Sequence, residues 1–102
     1  MPGPITVIAK LRAAEGKEAL LQALLIEQVA AVHKAEPGCM SYKLHVDAVD
    51  PSLFCFYEQY VDAAAKAAHQ SGEHMRAFRE RRAALGLVEG AVDVQVFLPL
   101  TD

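Results

Sequence analysis

The spacing of hydrophobic and polar residues predicts a strand followed by a long helix at the start of the chain. Ile5–Leu11 alternates between apolar and polar side chains as a strand does, and it ends before Gly16. From Lys17 to about Ala35 the apolar residues instead recur every three or four positions, which predicts an amphipathic helix. The run Glu36-Pro37-Gly38 should end that helix, because proline cannot continue it.

A β-hairpin and a second helical region are predicted next. Cys39–Asp47 and Leu53–Val61 have strand patterns and are separated by five turn-forming residues. Asp62 is a suitable N-cap for a short helix over Ala63–His69. Ser71-Gly72 should interrupt the helix.

The remaining residues complete a βαββαβ order. A second helical piece is predicted over Glu73–Leu85, and Val92–Leu98 alternates as a last strand. This order predicts an α+β, ferredoxin-like fold, with a four-stranded antiparallel sheet and the helices on one face. At 102 residues the chain should form one domain, spanning 1–102.

One face of the predicted hairpin is apolar enough to lie under the helices. If the turn centres on Asp50, residues whose numbers sum to about 100 lie opposite each other. Glu58 is the only charge on this face, opposite Tyr42, and desolvation there should raise its pKa. Two interpretations remain: a buried acid held by a structural hydrogen bond, or a perturbed acid beside a cavity. The residues of this face are Met40, Tyr42, Leu44 and Val46 against Tyr60, Glu58, Phe56 and Phe54.

The other face is too apolar for free solvent and too polar for a core, which favours a subunit interface. A hydrophobic share of 53% supports either a partner subunit or a lined cavity. The same register separates Cys39 from Cys55 by roughly 20 Å, which excludes a disulfide. This face includes Ser41, Lys43 and His45 against Gln59, Tyr57 and Cys55.

The helices add further candidate pocket residues. Gln28 lies within the apolar arc of the first helix, where it either bonds a backbone group or lines a pocket. His74, Phe78 and Arg82 are spaced by four and therefore share one stripe, facing the sheet. Arg79, on a different stripe, is expected on the solvated face.

No cofactor or metal is expected. On one continuous helix, His69 and His74 would point about 140° apart, which argues against a shared metal ion. The sequence contains no HExxH, no paired CxxC, no glycine-rich phosphate loop and no dinucleotide fingerprint.

Charge and hydropathy exclude two other classes of partner. A net charge of −3 does not provide the basic field that nucleic-acid binders use. No apolar run approaches the roughly 20 residues that cross a bilayer, and the first residues have no signal-peptide pattern. We therefore expect a cytoplasmic protein without nucleic-acid or membrane partners.

Several segments together resemble the antibiotic biosynthesis monooxygenase family. They are Glu36–Cys39, the strand Phe56–Tyr60, and Ala68-His69 followed by Ser71 and His74. The similarity extends over nearly the whole chain in the same order. It implies a dimeric α+β barrel, in which the sheets of two subunits pack together, and a pocket between sheet and helices for an aromatic or quinol-like substrate.

The resemblance also implies functional roles for individual residues. Glu58, His69 and His74 match the family's Glu, His and His in this pattern. The haem-degrading branch uses an Asn on the first strand and a Trp near the second helix. This first strand has no Asn and the chain contains no Trp, so haem degradation is not expected.

The leading functional hypothesis is a cofactor-independent monooxygenase that oxidises a quinol or polyketide-like aromatic with O₂. His69 or Glu58 would act as the base that removes a substrate proton. Tyr42 would orient the substrate, and Phe56 and Phe78 would stack on it.

Two alternatives remain open. One is an isomerase of a small phosphorylated dicarbonyl, in which Glu58 and His69 shuttle protons and Arg82 holds the phosphate. The other is a non-catalytic, dimeric ligand-binding or stress module, because a fold does not fix a function.

Overall fold

The computed structural model describes residues 3–101 and has the predicted order of strands and helices. The sheet consists of β1 (Ile5–Ala13), β2 (Cys39–Val46), β3 (Leu53–Tyr60) and β4 (Val88–Phe97), and the helices are α1 (Glu18–Ala35), α2 (Ala63–Ser71) and α3 (Glu73–Ala84). The four strands are antiparallel in the order β2-β3-β1-β4. This is the ferredoxin-like α+β arrangement that the sequence predicts.

The last strand is longer than predicted. It begins at Val88 rather than Val92, and Val88 pairs with Ala13 at the end of β1. A register shift between Lys10 and Arg12 interrupts the β1–β4 ladder, and Gly90 adopts a positive φ of 71° in the same region. A strand that crosses a bulge loses the simple alternation of apolar and polar residues. The sequence pattern therefore predicts only the second half of β4.

The predicted hairpin register is correct near the turn and wrong at the far end. Tyr42 lies opposite Glu58, as expected. A register shift between Cys39 and Ser41 then pairs Cys39, not Met40, with Tyr60. Met40 is consequently 58% exposed instead of buried under the helices.

The helices cover one face of the sheet unevenly. α1 packs on β2 and α3, and α2 packs on β2 and β3. The inner face of β4 is left partly open, and Val94 and Val96 are about half exposed. A cavity therefore lies between the helices and the sheet, near the uncovered strand. None of the helices within residues 3–101 has the length and apolarity that a bilayer span requires.

Candidate active site

The cavity has a volume of about 210 Å³ and combines apolar walls with titratable groups. Its walls include β1, β3 and β4 on the sheet side and α2 and α3 on the helix side. The apolar lining includes Val7, Ala9, Leu11, Phe56, Met75 and Phe78. The polar lining includes Tyr42, Glu58, Tyr60, Lys66, His69, Arg79 and Arg82.

Glu58 is a buried acid held by one protein hydrogen bond. It projects from the inner face of β3, and the Tyr60 hydroxyl two residues further along donates to its Oε1 at 2.6 Å. Desolvation raises the pKa of Glu58 to about 7, although the Tyr60 hydrogen bond opposes the shift. The other oxygen, Oε2, has no hydrogen-bond partner within residues 3–101. Every fully buried side-chain polar atom of these residues has a partner, so Oε2 must be accessible from open space. Both interpretations of this acid therefore hold: it makes a structural hydrogen bond and it lines a cavity.

His69 lies in the last turn of α2 and is only 5% exposed. Its Nδ1 lies 2.8 Å from each carboxylate oxygen of Glu36. The rings of Tyr42 and Tyr60 flank it, with centroids 5.2 and 5.3 Å away. Because a carboxylate can only accept, Nδ1 carries the hydrogen and Nε2 carries the lone pair of the neutral ring.

The electrostatics favour this neutral form of His69. Burial lowers the pKa of the imidazole, while the hydrogen bond that Nδ1 donates to Glu36 raises it. Nε2 has no hydrogen-bond partner within residues 3–101 and is not fully buried. Since His69 lines the cavity, Nε2 is accessible from it. The ring is thus fixed by its Nδ1 side and presents a basic nitrogen on the other.

His74 also contacts Glu36, with Nε2 at 2.5 Å from Oε2. The separation of about 140° holds only for one continuous helix, and the helix is interrupted at Gly72, as predicted. Gly72 has an extended conformation (φ −64°, ψ 147°) that separates α2 from α3, so α3 starts in a new direction. The break brings both imidazoles to one carboxylate.

Glu36, His69 and His74 could in principle hold a metal ion. Their ligand atoms lie within 4.8 Å of one another, and two imidazoles with one carboxylate are ligands for zinc or non-haem iron. In this structure the three groups instead satisfy each other by hydrogen bonds, and only His69 among them lines the cavity. The arrangement is suited to orienting His69.

Gly38 allows this cluster to form. A Cβ atom at Gly38 would lie 2.7 Å from the Cβ of Ala65 in α2, closer than two such carbons can approach. The absence of a side chain at Gly38 therefore lets α2 approach the segment that carries Glu36.

The remaining predicted site residues divide between two places. Tyr42 and Phe56 stack at 4.8 Å in the cavity wall, where Phe78 and Arg82 also lie. Gln28 and His74 do not line this cavity but a smaller one between α1 and α3. Of the two alternatives for Gln28, the structure favours pocket lining, since its amide donates to the sulfur of Met75 and not to a backbone group.

Three important residues escaped the sequence analysis. Glu36 belongs to the helix end and to one of the segments that resemble the family, but neither observation predicts its contact with His69. Lys66 lies in an alanine-rich run, which gives no clear helical face from which to predict its direction. Arg79 is exposed, as expected, but it also borders the cavity, which the sequence does not predict.

The fold and the cavity together define a small ferredoxin-like domain with an acid, an oriented histidine and aromatic walls in one pocket. The profile of the antibiotic biosynthesis monooxygenase family matches residues 4–81, so the chain belongs to that family. No curated protein matches the chain.

Solved structures show the same fold over nearly the full length. The crystal structure of PA3566 from Pseudomonas aeruginosa is 36% identical, covers 99% of this chain and 98% of its own, and has a TM-score of 0.84. Rv0793 from Mycobacterium tuberculosis is 29% identical, covers 97% of both chains and has a TM-score of 0.86. A Caulobacter crescentus protein with the same family designation is 25% identical, covers 98% of this chain and 92% of its own, and has a TM-score of 0.87.

Proposed function

We propose that the protein is a cofactor-independent monooxygenase that oxidises a quinol or polyketide-like aromatic substrate with O₂. The observation that carries the proposal is the buried His69, whose Nδ1 is held by Glu36 while Nε2 is open to an aromatic-lined cavity. Burial lowers the pKa of His69 and so favours the neutral imidazole, the form that can act as a general base.

The reaction begins with removal of a proton from a phenolic or activated C–H group by His69 Nε2. The resulting electron-rich anion transfers an electron to O₂, and the two radicals combine to form a new C–O bond. A second proton then leaves the same carbon as the O–O bond breaks. For a CH₂ group, one oxygen atom becomes a carbonyl and the other leaves as water.

Glu58 is suited to the second half of this sequence. With a pKa of about 7, it is partly protonated at neutral pH and can supply the proton that the departing oxygen needs. The apolar part of the wall reduces the amount of water around the radical pair once a substrate fills the cavity. Tyr42, Phe56 and Phe78 provide aromatic surfaces against which a planar substrate can stack.

The isomerase alternative has one observation in its favour. Lys66, Arg79 and Arg82 line the same cavity, and cations of this kind bind phosphate. An isomerase would use Glu58 and His69 as proton shuttles and would consume no oxygen.

Oxygen consumption separates the possibilities. Purified protein is assayed with an oxygen electrode against quinols, anthrones and phosphorylated dicarbonyls, with and without a metal chelator. The proposal expects chelator-resistant oxygen uptake with an aromatic substrate. Turnover without oxygen supports the isomerase, binding without turnover supports a ligand-binding module, and loss of uptake with the chelator contradicts cofactor independence.

A further inference from the structure

Positive charge exceeds negative charge around the cavity. Lys66, Arg79 and Arg82 line it, and Glu58 is the only carboxylate that residues 3–101 contribute to its wall. That carboxyl group already accepts from Tyr60 and has a pKa near 7, so it carries at most one partial negative charge at neutral pH. One partly ionised acid cannot balance the three cations of the cavity wall.

Arg82 is the most informative of these cations. It is half-buried, and its guanidinium group forms no ion pair or hydrogen bond within residues 3–101. Its guanidinium carbon lies 5.4 Å from the centroid of the Phe78 ring, a cation–π contact that does not neutralise charge. Burying an unpaired charge is costly, which makes a partner from outside the chain favourable.

Other arginines of the same helix are satisfied. Arg76 pairs with Glu73 and Glu80, and Arg81 pairs with Glu27. Both arginines are exposed and have carboxylate partners, from α3 for Arg76 and from α1 for Arg81, whereas the exposed Arg79 has no ion pair within residues 3–101. Arg82, which faces the cavity, has none.

Arg79 and Arg82 are placed to bind one ligand group together. They are three residues apart on α3 and therefore neighbours on its surface. Arg79 donates to the backbone carbonyl of Gln70 at 2.9 Å, which fixes its side chain beside the cavity while leaving its charge uncompensated. Burial lowers the pKa of Arg82, and the proximity of Arg79 lowers it further. An anion between the two guanidinium groups would relieve that repulsion.

We propose that the aromatic substrate of this cavity carries an anionic substituent, a carboxylate or a phosphate, which Arg82 and Arg79 bind while the aromatic body lies against Tyr42 and Phe56. This rests on the proposed function for the identity of the site but makes a separate claim about its ligand. Lys66 adds to the attraction, since it lies half-buried in the same wall.

The test compares two stable probes that differ only in the acid group, 1-hydroxy-2-naphthoate and 1-naphthol, by isothermal titration calorimetry. We expect the acid to bind at least about tenfold more tightly at low salt, the size typical of a charge-assisted hydrogen bond. Added salt should reduce this preference. Equal affinities, or no binding of the acid, would overturn the proposal.

Substitutions in α3 test which arginine is responsible for the preference for the acidic probe. Arg82→Gln should remove most of it while leaving the affinity for 1-naphthol nearly unchanged. Arg81→Gln, one residue away, exposed and paired with Glu27, is the matched control and should retain the preference. An equal effect of both substitutions would contradict the assignment, and circular dichroism confirms that each variant is folded.

The outcome is independent of whether the protein is a monooxygenase. If neutral and acidic quinols bind and are oxidised equally well, the monooxygenase proposal stands and the anionic-group proposal fails. If the acidic probe is preferred but no aromatic substrate consumes oxygen, the anionic-group proposal stands and the monooxygenase proposal fails.

Discussion

At the scale of single residues, the proposed chemistry depends on His69 and Glu58 in one cavity. Removing a general base or acid typically lowers turnover by about 10²–10⁴. We expect His69→Ala and Glu58→Gln each to reduce oxygen uptake within that range while the protein stays folded. His45→Ala is the control, because His45 lies on the exposed outer face of β2. Near wild-type turnover in both cavity variants would refute the acid–base assignment.

Glu36 should act on the reaction through His69 rather than by touching the substrate. In Glu36→Gln the side chain can offer an N–H group to Nδ1, which favours the tautomer with the proton on Nε2. We expect turnover to fall by roughly 10²-fold or more, with little change in KM, because a wrong tautomer cannot act as the base. Nitrogen NMR of the His69 ring measures the tautomer directly. Lost turnover with an unchanged tautomer would contradict the positioning role.

The buried Glu58 should also make the stability of the protein depend on pH. Its pKa is about 7 in the folded protein against an ordinary 4.5, so the folded state binds more protons between these values. The contribution of Glu58 protonation to the free energy of unfolding is fully present below pH 4.5 and is lost as the pH rises through about 7. The change is on the order of 3 kcal/mol at most.

Glu58→Gln removes this dependence and retains an acceptor for Tyr60. Its free energy of unfolding relative to wild type should therefore increase between pH 5 and pH 8, measured by urea titration. The lowered pKa of His69 acts with the opposite sign, since it makes stability rise with pH, but it is common to both proteins and cancels in the difference. A difference independent of pH would show that Glu58 is not protonated in the folded state.

At the scale of elements, the site depends on the close approach of α2 to the segment before β2. In Gly38→Ala the new Cβ meets the Cβ of Ala65 at 2.7 Å, so the helix must shift. Overpacking of this kind costs about 1–3 kcal/mol. We expect a lower Tm and a larger fall in turnover than in Ala64→Ser, a control at an exposed position of the same helix. Unchanged turnover in Gly38→Ala would mean that the spacing of α2 is not critical.

At the scale of the whole molecule, we propose a homodimer that covers exposed apolar surface. Tyr57 on the outer face of the sheet is 37% exposed, and Val94 and Val96 of β4 are half exposed beside the cavity. We expect light scattering to give the mass of a dimer at micromolar concentration. Tyr57→Asp should weaken it more than Arg76→Asp, a control on the solvated side of α3. A monomeric wild-type protein would contradict the proposal.

The sequence by itself determined the order of the elements, the face that Glu58 and Tyr42 share, and the family. These depend on local properties: period-two alternation, helical spacing, an Asp62 N-cap, and a proline that ends α1. The Asp62 cap is confirmed by its hydrogen bond to the Ala65 backbone amide, at 2.8 Å. Such signals survive in a single sequence because each involves neighbours within a few residues.

Only the tertiary structure decided which side chains meet. Glu36 and His69 are 33 residues apart, and their contact depends on the missing side chain at Gly38 and on the packing of α2. The break at Gly72 redirects α3, which brings His74 to Glu36 and Arg79 to the cavity. Helical periodicity cannot predict these contacts, because it gives directions within one helix but not the angle between two.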